Sequence, residues 1–281
     1  MSWLLIIFIN VVAISLASLF QRLAMRQENS DPLLSSIFFQ FLLGVVVLSF
    51  AIINGFVWPD WSATWPLFLF SAVLYAFGTL LFFKSIKLIE ASEMIVFGGA
   101  GSVITMFCAY FFLGERLNVI QYAGAALVVS AILLIASQGK KIVFSRGALL
   151  ALLGNSFFAI AVISDTLVIR TYDAISFAGL MSIMPAIVLS VVYPRKLLQL
   201  PAMVKKIDKN LVIYTLLYAA GVVSFYGALG TGAMISQVSV VSRSNIILTV
   251  LLAAIFLKER SGFWKKFLAA LLCTIGVMLV A

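Results

Sequence analysis

Phe112-Leu113-Gly114-Glu115-Arg116 ends one long apolar run, and Phe256-Leu257-Lys258-Glu259-Arg260 ends another 144 positions later. A fresh apolar run follows each phrase, so the two mark equivalent places in two copies of one unit. The same offset pairs Leu23 with Leu167, Arg26 with Arg170, Ser92 with Ser236, Thr105 with Thr249 and Ala125-Ala126-Leu127 with Ala269-Ala270-Leu271. Single identities carry little weight among so few residue types. A register held through several segments indicates duplication.

Of the 281 residues 64% are apolar and 10% charged, and the mean hydropathy is +1.18. No soluble domain balances core and surface with such a composition, so the chain reads as an integral membrane protein. Ten apolar runs lie at 2–24, 33–54, 66–86, 90–113, 117–137, 147–169, 174–194, 210–229, 233–257 and 263–281. Each is long enough to cross ~30 Å of hydrocarbon, and the first reads as a retained helix rather than a secretory signal. The expected fold is all-α: ten transmembrane helices in one structural unit made of two five-helix repeats, 1–138 and 145–281. An odd number of spans per copy inverts the second copy, giving a 5+5 inverted-topology repeat.

The net charge of +9 is unevenly distributed along the chain. Sixteen Lys and Arg residues lie in or beside the connections after runs 1, 3, 5, 7 and 9, against Arg116 and Arg170 on the other face. The positive-inside rule makes the sixteen cytoplasmic and both termini extracytoplasmic, in a multi-pass protein of the plasma (inner) membrane. The basic excess then describes topology and contact with lipid headgroups, not nucleic-acid binding. With no histidine, and with Cys108 and Cys273 unrelated by the repeat, neither a metal site nor a disulfide is expected. No cofactor is implied, and Asp165 and Glu93 stand in different repeats, so no hydrolytic constellation assembles.

Ten spans, a five-plus-five repeat, Leu113-Gly114-Glu115-Arg116 ending the fourth span and Leu257-Lys258-Glu259-Arg260 ending the ninth together resemble the drug/metabolite transporter superfamily, EamA type. The resemblance implies a proton-coupled or facilitative transporter, an exporter or exchanger of small metabolites, with a central cavity lined by spans 1, 3, 4, 6, 8 and 9. Relatives are often drawn with both termini in the cytoplasm, the reverse of what the charges give here. A small-molecule substrate and membrane lipids are the expected partners, and a monomer or weak homodimer the expected state. A lipid flippase or scramblase and a multidrug efflux pump are the alternatives.

The register sets Gly98-Gly99-Ala100-Gly101 in the fourth run against Ser242-Arg243-Ser244-Asn245 in the ninth. Three glycines permit close approach and bending, while Arg243 lies ~15 Å deep, near the midplane. An arginine there costs at least ~2.5–3.5 kcal/mol on insertion scales, so it is expected to face a wet cavity or a partner. Ser236, Ser239 and Arg243 fall within about 60° of one another around the helix, a polar stripe suited to substrate, with Asn245 nearby. Arg243 either anchors a carboxylate or phosphate or pairs with Asp165 in the sixth run. Glu93 is either a coupling carboxylate or an ordinary interfacial charge. Glu115 and Glu259 read as boundary anchors, with a gate that tightens and loosens as the alternative. Tyr218, Tyr75 and Asn155 are further candidates for the pocket wall, against the alternative of plain helix packing. Pro185 kinks the seventh run as a hinge or a static bend.

Overall fold

A computed structural model describes residues 3–113, 116, 118–138, 141–201, 208–230, 238 and 241–280. Its helices are α1 (Trp3–Arg26), α2 (Pro32–Ile53), α3 (Trp61–Leu88), α4 (Ala91–Gly98), α5 (Ala100–Leu113) and α6 (Val119–Ala136). After a two-residue antiparallel pairing of β1 (Ser137–Gln138) with β2 (Lys141–Ile142) come α7 (Arg146–Ile169), α8 (Ala174–Val192) and the single turn α9 (Pro194–Leu197). The remaining helices are α10 (Lys209–Gly230), α11 (Asn245–Phe256) and α12 (Phe263–Val280). Apart from that small β ladder the described chain is helical, as hydrocarbon requires, since a helix satisfies its own backbone donors and acceptors.

Short polar residues start these helices. Asp31 accepts from the Leu33 and Leu34 N–H groups with Pro32 following it, Ser145 and Asp173 cap α7 and α8, and Asn118 with Gln121 forms a reciprocal capping box on α6. Among the described residues eight candidate spans are long and apolar enough to cross a membrane, one of them being α4 and α5 taken together. Lys209–Phe225 and Asn245–Phe256 are shorter apolar helices. Of the ten expected spans, eight are found among the described residues, and the eighth and ninth runs give shorter apolar helices; part of the ninth run, 233–257, lies outside the described residues.

The packing partners form a pattern. Helix α3 lies along α7 and α1 along α10, while α2 packs on α8, α6 on α12 and α4 on α11. Exchanging the first-half runs for their second-half counterparts leaves this set of pairs unchanged. At the α6–α12 crossing the backbones nearly touch: a Cβ on Gly124 would meet the Gly276 carbonyl oxygen at 2.6 Å, and one on Gly276 would meet that of Gly124 at 2.7 Å. The largest buried cluster joins α1, α2, α3, α4, α6, α11 and α12 through Met25, Phe39, Phe83, Phe97, Val128, Val250 and Cys273.

The fourth run breaks at Gly99, which separates α4 from α5, and the ninth turns at Arg243 and Ser244 before α11 begins. These interruptions are 144 residues apart, the offset of the repeat. Tight bonds span both, from Ser102 N–H to the Gly99 carbonyl (3.1 Å) and from Ile246 N–H to the Arg243 carbonyl (3.1 Å).

Candidate functional site

A cavity of about 780 Å³ lies between α2, α3, α5, α7, α8, α10 and α12, within the ~300–1,000 Å³ range of small-molecule sites. Its lining runs from mid-bundle to the end where α6 and α8 start and α7 and α12 finish, reaching Gln121, Thr166, Phe177 and Val280. Arg243 lines it and is exposed there, although it is remote from both ends of its run. Gly98 and Gly101 stand beside Asn155: a Cβ on either would lie 3.9 or 3.5 Å from Asn155 Oδ1. Asn155 donates its Nδ2 back to the Ala151 carbonyl (2.7 Å), which leaves Oδ1 facing the glycines. Tyr75, Tyr218 and Pro185 also line the cavity.

Asp165 is the acidic residue among the described lining. Ser71 donates its hydroxyl to Oδ1 (2.7 Å) and Tyr75 donates its phenol to Oδ2. Both come from α3, which lies along α7, so the carboxylate is bonded to neutral hydroxyls. The expected Arg243–Asp165 pair is not present: among the described residues Arg243 makes no ion pair, and both Asp165 oxygens are occupied.

Further expectations need correcting. Gly99 does not face Arg243, because a Cβ there would overlap the Cys273 sulfur of α12; its neighbours Gly98 and Gly101 face the cavity instead. Asn245 is absent from the lining and accepts a bond at its carbonyl from Ser15 Oγ (3.2 Å). Glu93 lies in the first turn of α4, away from the cavity. Behind Tyr218, Tyr214 stacks on Phe39 with centroids 4.7 Å apart and meets the Tyr218 ring at 5.9 Å, in the core and not on the cavity lining. Ser236, Ser239 and Glu115 lie outside the described residues.

Sequence reasoning missed a polar stripe. Ser102 and Thr105 line the cavity beside Gly101, on one face of α5. Gln40 and Thr79 join them from α2 and α3. The spacing was readable, but serine and threonine in an apolar run commonly bond their own helix, so the stripe did not stand out.

At the opposite end, among the basic connections, charged side chains from different helices pair with one another. The Glu259 side chain is 1% exposed and faces Arg22 Nε at 3.7 Å and Arg26 Nη2 at 3.5 Å. Lys266 pairs with Glu90 and Lys196 with Asp31, while Lys87 donates to the Ser30 carbonyl and Lys265 to the carbonyls of Ile135 and Ser137 at the end of α6. Glu259 is therefore not the boundary anchor its position suggested; it is buried where α1, α4 and the end of α11 meet.

The model of the EamA-like transporter family matches residues 1–137 and again 145–281. A protein of known crystal structure is similar at 17% identity with a TM-score of 0.63, over 99% of this chain and 95% of that one, a likeness that shows the fold alone. No curated protein matches the chain. A multi-pass bundle with a cavity at mid-depth, matched twice by one family model over nearly its whole length, belongs to the EamA-like transporter family.

Proposed function

We propose that this protein is a secondary transporter, taken as an exporter, that moves a small polar metabolite by alternating access between two inverted five-helix halves, 1–138 and 145–281. The observation that carries the reading is the cavity: it holds Arg243 at mid-depth and extends to one end of the bundle, while at the other end the buried Glu259 ties helices together with Arg22 and Arg26. The exchange symmetry of the helix pairs and the matched breaks at Gly99 and Arg243 support an inverted repeat of ten spans. With the basic connections cytoplasmic, the described state is open to the outside of the plasma membrane.

Arg243 is the substrate anchor. Its guanidinium offers two parallel donors to a carboxylate or phosphate, and among the described residues no acid neutralises it. Asn155, Ser102, Thr105 and Gln40 supply neutral polar contacts, and Tyr75 and Tyr218 the aromatic wall. Ser236 and Ser239, seven and four residues before Arg243, complete the stripe in sequence. Asp165 and Glu93 remain the carboxylates available for coupling; of these Asp165 faces the cavity.

The test begins with a thermal-stability screen of purified protein against amino acids, sugar phosphates, nucleotides, cationic drugs and short-chain phospholipids. A ligand at a hundred times its Kd stabilises the native state by about 2.7 kcal/mol. The binder found is then supplied to vesicles carrying the protein or its Arg243→Ala variant. Loss of both stabilisation and flux at unchanged folded yield is the expected result. Unchanged flux would remove Arg243 from the site, and stabilisation by phospholipid alone would turn the reading towards a flippase.

A further inference from the structure

Glu259 follows α11 at a sharp reversal, where Lys258 takes φ +57°. The turn brings the carboxylate under the start of α4. Its Oε1 accepts from the Ala91 N–H at 3.2 Å, and its Oε2 accepts from the Ser92 N–H at 3.2 Å and the Ser92 hydroxyl at 2.9 Å. Those are backbone donors that the N-cap residue, Glu90, leaves without a side-chain bond. Arg22 and Arg26 on α1 face the same carboxylate, and Arg26 also donates to the Leu257 carbonyl at 3.4 Å. Segments of the first, fourth and ninth runs are thus joined at one atom group.

We propose that Glu259, with Ser92 and Arg26, is the latch that holds this end of the transport path shut, and that the path opens there when the carboxylate leaves the start of α4. The proposal rests on the alternating-access reading above. Buried charge is what makes the latch two-state: with all partners present the carboxylate is well satisfied, and with any of them withdrawn it must become wet. The repeat keeps the same residue types, since Arg26, Ser92 and Glu259 recur in register as Arg170, Ser236 and Glu115. Other polar positions do not recur: Asp165 falls on Gln21, Glu93 on Gln237 and Lys266 on Tyr122. Glu115 and Ser236 enter by sequence alone.

The experiment needs no substrate. Ser102, which lines the cavity, is replaced by cysteine in a chain whose Cys108 and Cys273 are alanine, and a membrane-impermeant maleimide is supplied from each face in turn. The Ser102→Cys parent should label from the open end. Adding Glu259→Gln should raise the labelling rate from the latch end about ten-fold, the response of an equilibrium shifted by one decade. Arg26→Gln should raise it less, and the double variant no more than Glu259→Gln alone, because the two act through one contact. Ser92→Ala gives a third, milder perturbation in case a charge variant folds poorly. Unchanged labelling from the latch end in folded Glu259→Gln and Arg26→Gln proteins overturns the latch. Failure of the transport reading would appear in the Arg243→Ala flux assay, which shares no measurement with this one.

Discussion

The two ends of the bundle each hold a buried carboxylate, and they are satisfied in opposite ways. Glu259 at the closed end accepts three bonds from the start of α4 and faces two guanidinium groups. Among the described residues Asp165 at the other end accepts from the hydroxyls of Ser71 and Tyr75 and makes no ion pair. Charge partners drawn from several helices lock an arrangement in place. Hydroxyl partners drawn from one neighbouring helix leave a group that water or a ligand can take over. The difference separates an end built to stay shut in this state from an end built to admit something.

Removing a carboxylate tests that contrast most severely. Glu259→Ala strips the acceptor from the start of α4 and leaves the largely buried Arg22 without its carboxylate, while the half-exposed Arg26 keeps water; the cost should be about 2–3 kcal/mol, read as a large fall in thermal midpoint in detergent. Asp165→Asn keeps the shape and a bond to either hydroxyl, and should cost ~1 kcal/mol or less by the same measurement. Equal losses would erase the distinction between the ends.

The glycines sharpen it at mid-depth. Gly99→Ala drives a methyl into Cys273 and should lower folded yield, with Cys273→Ala restoring it. At Gly101, by contrast, a Cβ finds Asn155 at the ordinary distance of 3.5 Å, so Gly101→Ala should fold normally and alter only ligand affinity. A fluorescent reporter that matures only in the cytoplasm, fused after Ala281, should stay dark; a bright one would put the latch on the outside.

The smallest effect concerns Asp31, outside the membrane at the closed end. Partial burial acts to raise its pKa, but the bonds from Lys196 and from the Leu34 and Leu33 N–H groups outweigh it, so the value lies below the usual carboxylate range. A lowered folded-state pKa means the stabilisation is present above the ordinary value, near 3.9, and fades as pH falls through the folded one. Asp31→Ala should therefore cost ~1 kcal/mol at neutral pH, mostly as a lost helix cap, and progressively less in acid.

Hydropathy alone revealed the helical membrane class, because a span must be apolar along its whole length. The place of Arg243 beside the cavity was legible too, since an arginine in mid-run has few tolerable surroundings. Rotation about a helix axis was not. Gly98, Gly99 and Gly101 look alike in sequence, yet one packs on Cys273 and two face the cavity, a matter of 100° per residue that uniform apolar runs do not encode. Glu259 was misjudged because a glutamate at a run's end is usually wet; its burial depends on the left-handed turn at Lys258, at the position where the first copy carries Gly114.

On the transport reading proposed above, a cavity that holds its cation at mid-depth and opens to one face would make the protein one-sided to drugs. A carboxylate-bearing molecule too bulky to be carried through would enter from that face, sit on Arg243 and wedge the helices apart. It would block flux when added outside and do nothing when trapped within. The pharmacology of such a compound would report the resting orientation of the protein in a living membrane, without any label on the chain.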